Sequence, residues 1–239
     1  MFENRGSLKI RSSFFEPLWL CVGFGFVIFF TTPGFPACPG DPHFNPKSII
    51  HFSGGTLRPT YFHQYSTAQI EAMRHSGSFP AGMHNPGLTM AEHEFQTSYK
   101  IGGTSRSGQA GICIRVESIQ VRFACRRMDV YLSSKYPKGS CVYQVVLAHE
   151  NQHVAINTRV FKKYSALMKK ALLSDRTIPT KANPMAVNSV EEGKAFISTH
   201  IDALVKNVYE KFTQEAIAEN AKIDTMENYR RTQAKCKEW

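Results

Sequence analysis

The sequence lacks an apolar run long enough for a comfortable membrane span. Its longest such run extends only from Leu18 to Phe30, whereas a helix needs about twenty apolar residues to cross a bilayer. Basic residues precede this run, and a Pro-Gly turn followed by Ala37 comes after it, a pattern typical of secretory signal peptides. We therefore predict that residues 1–37 form a signal peptide, or an N-terminal membrane anchor if the chain is not cut after Ala37.

The sequence also lacks any Cys-x-x-Cys pair, so a zinc site built from cysteines is not expected. Removal of residues 1–37 takes away Cys21 and leaves an odd number of cysteines, so at least one thiol has no partner within the chain. The others are expected to form disulfides, since exported proteins fold in an oxidising environment. Sequence does not determine connectivity, but the preferred pairs are Cys113 with Cys125 and Cys141 with Cys236.

A concentrated basic stripe is lacking too, although the net charge is +10. Lysine and arginine are scattered apart from short clusters such as Arg126-Arg127 and Arg230-Arg231, whereas nucleic-acid binders concentrate them on one face. We predict no nucleic-acid partner and a solvated basic surface, which would still favour an anionic membrane surface. With 42% hydrophobic residues, residues 38–239 are predicted to form a single globular domain.

The sequence does contain one His-Glu-x-x-His motif, from His149 to His153. Residues four apart lie on the same face of a helix, so the two imidazoles can bind one metal ion. Zinc (Zn2+) is the expected ion, because imidazole suits it and a catalytic zinc site needs three protein ligands and a water. Glu150 would then act as the general base that takes a proton from that water.

Two long amphipathic helices are predicted around and after this motif. The first begins after Ser140 and runs from Cys141 to about Leu173, and the second opens with the capping-box sequence Ser189-Val190-Glu191-Glu192 and runs to about Ala221. The loop between them predicts that they pack antiparallel. The expected apolar stripes are Val142, Val146, Ile156, Val160, Tyr164, Leu167 and Ala171, and then Ile197, Ile201, Leu204, Val208 and Phe212.

Strand patterns precede the motif. Apolar residues alternate with polar ones over residues 95–101, 112–116 and 119–123, and the alternation slips by one residue near Cys125 before it resumes at Met128. Such a slip indicates a bulge or a bend. The sequence therefore predicts an α+β fold in which a small antiparallel sheet packs on two long antiparallel helices. An edge strand of that sheet could pair with an extended peptide substrate.

The third metal ligand is predicted by counting along the antiparallel helices. The position opposite His149 and His153 falls near Phe212, and the apolar stripe then continues to Glu215 and Glu219. Carboxylates on an apolar face are costly unless they bind something. We predict Glu215 as the third zinc ligand and Glu219 as an acceptor that orients a ligand histidine. This Glu-x-x-x-Glu segment is similar to the Glu-x-x-x-Asp segment of thermolysin-like zincins.

The segments from Leu147 to His153 and from Asn220 to Cys236 together resemble an uncharacterised bacterial family of predicted secreted zinc-dependent proteases. This resemblance implies a zincin-like fold. In that family the tail tends to contain an aspartate followed by a His-Gly pair, and Asp224 aligns with the aspartate while Tyr229 stands at the histidine position. The resemblance makes Asp224 an alternative metal ligand and Tyr229 a phenolic donor to a developing oxyanion.

The expected function is that of an exported, zinc-dependent metallohydrolase, above all a peptidase with a peptide or protein substrate. Its expected location is periplasmic or secreted, or at the inner membrane if the N-terminal segment remains attached. Two alternatives stay open: a non-catalytic envelope protein that keeps a zincin-like fold, and a metal-dependent amidase that acts on cell-wall material. No obligate protein partner is expected.

Overall fold

A computed structural model describes residues 38–73, 86–105 and 111–239, so the predicted signal peptide or anchor lies outside the described residues. None of the helices in these three segments is long and apolar enough to cross a membrane. The elements are a 3-10 helix (Pro46–Ile49), β1 (Ile50–Ser53), β2 (Thr60–Phe62), α1 (Thr67–Ala72), β3 (Gly87–Ser105), β4 (Ile112–Leu132), α2 (Cys141–Ser174), β5 (Met185–Val187), α3 (Val190–Ala221) and α4 (Met226–Gln233). Helix and sheet are thus combined, in agreement with the α+β class.

Strand β4 forms the centre of a five-stranded sheet. β3 pairs with it antiparallel along almost its whole length, while its other edge pairs in succession with β5, β1 and β2. β1 and β2 run parallel to β4, so the prediction of an antiparallel sheet is correct only for β3 and β5. The two parallel strands have four and three residues, which is too short for a recognisable alternation of polar and apolar side chains.

The register between β3 and β4 shifts at two bulges. His93 lies opposite Cys125 but Glu92 lies opposite Arg127, so Arg126 is the extra residue, as the slip in the sequence pattern indicated. Farther along, Glu117 is skipped in the same way. The predicted segments 112–116 and 119–123 are therefore parts of one long strand, β4.

The predicted serines cap the two long helices, which run antiparallel. Only half of the predicted capping box is formed, since the Glu192 carboxylate accepts from the backbone N–H of Asn188 and not from that of Ser189. The hydroxyl of Ser140 accepts a hydrogen bond from the backbone of α2, and that of Ser189 does the same for α3. The contacts between the helices run in opposite directions along the two sequences. Lys163 of α2 binds Glu215 near the end of α3, whereas Asp175, just after α2, binds His200 in the first half of α3.

The main hydrophobic core lies between the sheet and the two helices. Phe123 of β4 contacts Phe161 of α2 and Phe212 of α3, with ring centroids 4.4 Å and 5.2 Å apart. Burial of each such ring contributes about 1.5–3 kcal/mol to stability. The apolar sides of both helices therefore face the sheet. This orientation determines which polar side chains of α2 and α3 can contact one another.

The described part of the chain contains two disulfides, and one of the predicted pairs is wrong. Cys141 and Cys236 are bonded as predicted, but Cys113 pairs with Cys38, and Cys125 is a buried free thiol. Cys113 and Cys125 both lie in β4, which is continuous between them. In an extended strand, residues about twelve apart are separated by about 40 Å, far beyond the reach of a disulfide.

Candidate metal centre

Helix α2 presents its two motif histidines to Asp224, which lies between α3 and α4. The Nε2 atoms of His149 and His153 are 3.2 Å apart, and each is 3.1 Å from Oδ1 of Asp224. Both histidines are buried, whereas the Asp224 side chain is 41% exposed. The three residues form a cluster that could hold a metal ion with one side open to solvent.

The separations between these three atoms suit a small, tetrahedrally coordinated cation. An ion with tetrahedral bonds of about 2.0–2.2 Å holds its ligand atoms about 3.3–3.6 Å apart. The distances of 3.1–3.2 Å fall short of this range by only a few tenths of an ångström, which small rotations of the side chains can supply. The donor set of two imidazoles and one carboxylate, with an open position, is the kind found in catalytic metal sites.

Asp224 is held in place by the turn that joins α3 to α4. Thr225 caps α4 by accepting a hydrogen bond from the Asn228 backbone, and the Asn228 side chain donates to the Ile223 carbonyl. Tyr229, one turn into α4, donates its hydroxyl to Oδ1 of Asp224 over 2.6 Å, and its ring lies 5.4 Å from that of His149. Tyr229 thus lies at the centre, as predicted, but its hydroxyl is directed at Asp224.

Asn220 determines how His153 is oriented. The Asn220 amide nitrogen donates to the Ala216 carbonyl, so its oxygen faces His153 Nδ1 at 2.7 Å. Nδ1 must therefore carry a hydrogen, and the hydrogen bond fixes the ring with Nε2 towards Asp224. A ligand histidine that donates its other ring hydrogen to an oxygen is the usual arrangement around protein-bound metals. Nδ1 of His149 has no such partner among the described residues.

Glu150 lies on the neighbouring face of α2, against the first residues of β3. Its side chain is fully buried, and Oε2 accepts a hydrogen bond from the Thr89 hydroxyl over 2.7 Å. Oε1 has no hydrogen-bond partner in the described part of the chain. A Cβ on Gly87 would lie only 2.5 Å from this oxygen, so the missing side chain there leaves room for Glu150. The carboxylate keeps one oxygen able to accept a proton.

Burial and neighbouring charges shift the pKa values at the centre in opposite directions. Burial raises the pKa of Glu150, although His153, His149 and Thr89 oppose this shift. Burial alone would lower the pKa of His153, but its bond to Asp224 and the charge of Glu150 raise it. Burial would raise the pKa of Asp224, yet the bonds to both histidines hold it far below its usual range. Asp224 is therefore ionised at neutral pH and able to act as a ligand.

Glu215 does not reach the histidines, contrary to the ligand prediction. Its carboxylate accepts hydrogen bonds from Lys163 at 2.5 Å and from the Tyr164 hydroxyl at 2.9 Å. The pKa of Glu215 is lowered, mainly by Lys163. It thus forms a salt bridge between α2 and α3, about three turns of α2 beyond the motif.

Glu219 does not orient a histidine either. It binds Arg159 at 2.9 Å and also Lys222, and the Lys222 bond is the main cause that lowers its pKa. The acceptor role predicted for Glu219 belongs to Asn220, the next residue. One position along a helix is a rotation of about 100°. This rotation is enough to direct Asn220 at His153 and its neighbour Glu219 at Arg159.

Sequence reasoning missed Asn220 and Thr89. Asn220 was part of the segment that carried the family resemblance, but an amide has no charge that would draw attention to a metal. Thr89 lies sixty-one residues before Glu150, and a threonine in a strand is common. Neither residue shows a local signal, since both act only through the side chain they contact.

Comparisons with models of known protein families, with curated proteins and with solved structures give no match. No family is therefore assigned to this chain. The geometry of His149, Glu150, His153 and Asp224 is the basis for the functional proposal.

Proposed function

We propose that this protein is an exported, zinc-dependent metallohydrolase that cleaves peptide bonds. The observation that carries the proposal is the meeting of His149, His153 and Asp224 at 3.1–3.2 Å, beside the buried carboxylate of Glu150. Two histidines and one carboxylate with an open side are typical of hydrolytic zinc sites. The disulfides are compatible with export, since such bonds persist in oxidising compartments.

His149, His153 and Asp224 would hold the zinc ion in this proposal. Zinc prefers imidazole nitrogen and accepts carboxylate oxygen, whereas magnesium and calcium favour sites made of oxygen alone. When bound, zinc supplies a Lewis acid that polarises a carbonyl and lowers the pKa of a water towards neutrality. Asn220 supports this ligand set by keeping His153 Nε2 directed at Asp224.

Glu150 is the general base in this mechanism. Thr89 holds Oε2, so Oε1 is the atom that takes a proton from the attacking water and later delivers it to the leaving amine. Burial raises the pKa of Glu150, which brings the carboxyl closer to the range in which it can both accept and return a proton.

Tyr229 has two roles in this proposal, one towards Asp224 and one towards the substrate. Its hydroxyl donates to Oδ1 of Asp224, which orients the ligand carboxylate. If the phenol also steadies the oxyanion that forms during peptide hydrolysis, this hydrogen bond must shift from Asp224 to substrate. In both roles, Tyr229 keeps the open side of the centre polar.

The reason for proposing a peptide as the substrate is the position of strand β3. β3 pairs with β4 on one edge, and among the described strands none pairs with its other edge. Its first residues contact Glu150 through Thr89. An extended peptide can add to such an edge by backbone hydrogen bonds, which would bring a peptide bond near the general base.

Zinc content of purified variants tests the ligand set. We expect one zinc per wild-type chain, and loss of stoichiometric zinc in Asp224→Ala and His153→Ala. Glu215→Ala is the matched control, since it removes a carboxylate from α3 that binds Lys163 and Tyr164 instead, and it should keep its zinc. Zinc that stays in Asp224→Ala but leaves Glu215→Ala would contradict the proposed centre.

A Glu150→Gln variant tests catalysis separately from metal binding. We expect it to bind zinc like wild type and to lose peptidase activity by about 10²–10⁴-fold, the usual contribution of a general base. Retained function of this variant in a complementation assay would favour a non-catalytic envelope protein. Wild-type cleavage of cell-wall fragments but not of peptides would favour the amidase.

A further inference from the structure

The third ligand of the metal centre belongs to a short tail that is attached to α2 by a disulfide. α3 ends at Ala221, and Asp224 and α4 follow it. Just after α4, Cys236 is bonded to Cys141, the first residue of α2. Cys141 lies about two helical turns before His149. The segment from Asp224 to Cys236 is thus fixed to the histidine helix at both ends.

Noncovalent contacts hold this tail at three places. Asp224 binds both histidines at one end, Tyr229 is buried in the middle, and Cys236 and Trp239 pack against a small hydrophobic cluster at the other end. α4 has eight residues, and Tyr229 is the one that is buried. A helix this short is not stable alone in water, so its position depends on tertiary contacts. Besides Tyr229, the tail is held by Trp239, whose indole donates to the Gln233 carbonyl and packs edge-on against Tyr136.

The disulfide that holds the tail is accessible. Cys141 is exposed and Cys236 is partly exposed. In the other disulfide, Cys38 is partly exposed like Cys236, but Cys113 is only 7% exposed, and that bond joins Cys38 to β4. A reductant in solution can therefore reach the Cys141–Cys236 bond more readily than the Cys38–Cys113 bond.

We propose that the Cys141–Cys236 disulfide is a redox switch for the metal centre: when it is reduced, α4 detaches from α2 and Asp224 no longer completes the ligand set. This inference rests on the proposed zinc site. The physical cause is entropic. Without the bond the tail is held only by noncovalent contacts, chiefly those of Asp224 with the two histidines, of Tyr229 and of Trp239, and it gains more freedom when it leaves its position.

The switching reaction is thiol–disulfide exchange with a dithiol. One thiolate of the dithiol attacks a sulfur of the Cys141–Cys236 bond and forms a mixed disulfide, and the other cysteine leaves as a thiolate that takes up a proton. The second thiol of the reductant, after losing its proton, then displaces the remaining cysteine. The protein gains two thiols, and the dithiol is oxidised to a disulfide.

Zinc and the disulfide should stabilise each other. If the disulfide tightens zinc binding by a certain factor, bound zinc must favour the disulfide over the two thiols by the same factor. Zinc should therefore shift the equilibrium between the Cys141–Cys236 disulfide and its two thiols towards the disulfide, and leave the equilibrium of Cys38–Cys113 unchanged. This reciprocal effect does not require an activity assay.

The test compares two double variants of the full chain, Cys141→Ser/Cys236→Ser and Cys38→Ser/Cys113→Ser. Zinc affinity is measured by competition with a chelating dye, and the order of the tail by trypsin cleavage after Arg230 and Arg231, which are exposed in α4. We expect the first variant to bind zinc at least about tenfold more weakly and to be cut faster at these sites. The second variant should match wild type in both measurements.

Equal zinc affinity and equal cleavage in wild type and Cys141→Ser/Cys236→Ser would overturn the switch and leave the zinc site standing. Absence of zinc from oxidised wild type would overturn the proposed function itself, and the switch with it. If the serine variant does not fold, wild-type protein treated with a phosphine gives the same comparison. The phosphine takes oxygen from water as the disulfide becomes two thiols, and thiol labelling identifies which bond was reduced.

Discussion

At the scale of single residues, one amide controls the orientation of a ligand. Asn220 can hydrogen bond His153 only through its oxygen, because its nitrogen is committed to Ala216. We expect Asn220→Ala to raise the Kd for zinc by about 10–100-fold, as loss of such supporting bonds usually does. Asn220→Asp keeps an acceptor and should stay within a few-fold of wild type. Isothermal titration with zinc gives both values, and equal affinity in the alanine variant would rule out the orienting role.

His93 is a second residue with a measurable effect, on stability instead of binding. Its ring lies in β3 between Phe161 of α2 and Phe212 of α3, at centroid distances of 5.6 Å and 4.8 Å. Burial lowers the pKa of His93 to about 4. The unfolded chain, with an ordinary pKa near 6.5, therefore binds a proton more readily than the folded chain between these two pH values.

The free energy of unfolding should fall as pH drops from about 6.5 to about 4, because protonation of His93 favours the unfolded chain. His93→Phe should abolish up to about 2 kcal/mol of this pH-dependent loss of stability. This value is smaller than the full pKa shift implies, because the His93 ring is partly exposed to solvent. Urea unfolding at several pH values measures it. His51→Gln, which removes an exposed histidine of β1, is the matched control.

At the scale of elements, the predicted apolar stripes are correct over most of both long helices and are displaced by one residue in part of each. The predicted residues that are buried are Val142, Val146, Ile156, Val160 and Tyr164 in α2 and Ile197, Ile201 and Phe212 in α3. In α3 the buried residues include Val205 and Tyr209, whereas the predicted Leu204 and Val208 are only partly buried. In α2, Leu167 is 41% exposed. A step of four residues overshoots a full turn by about 40°, so a face that advances by fours drifts around the helix. The drift carries the α3 face to Ala216 and Asn220 instead of Glu215 and Glu219.

The contact of α3 with the sheet can be tested at Gly193. A Cβ there would lie 2.1 Å from Cδ1 of Ile114, a fully buried residue of β4. We expect Gly193→Ala to lower the free energy of unfolding by about 1–2 kcal/mol, since overpacking outweighs the better helix propensity of alanine. Gly55→Ala, where a Cβ meets nothing within 4 Å, should change it by less than about 0.5 kcal/mol. Equal unfolding curves for the two variants would contradict this expectation and show that α3 or Ile114 can move enough to make room for the added methyl group.

At the scale of the whole molecule, the two disulfides have different tasks. Cys38–Cys113 links residues 75 apart in sequence and restrains the unfolded chain, an effect of about 4 kcal/mol for a loop of this length. Cys38→Ser/Cys113→Ser should lower the free energy of unfolding by about 2–4 kcal/mol. Denaturant unfolding checks this, and zinc titration of the same variant should give the wild-type Kd. A shift in that Kd would mean that the first disulfide also supports the metal centre.

Local patterns in the sequence were sufficient to predict the long helices, the main strand segments and the two histidines of the candidate metal centre. The caps at Ser140 and Ser189, the bulge near Cys125 and the pairing of two histidines one turn apart all depend on neighbours within a few residues. Such features follow from helix and strand periodicity, which does not require knowledge of the rest of the fold. The wrong Cys113–Cys125 pair shows the limit of such local patterns. Excluding this pair requires knowing that β4 continues without a break from Cys113 to Cys125.

Only the tertiary structure decided what completes the centre. The rotation of α3 against the sheet placed Asn220 on His153 and turned Glu215 and Glu219 towards basic residues of α2. The turn before α4 then brought Asp224 to both histidines. Sequence by itself determined that two histidines one turn apart and a neighbouring glutamate lie on α2. The remaining groups come from distant segments whose meeting depends on packing, and packing is settled by the whole core at once.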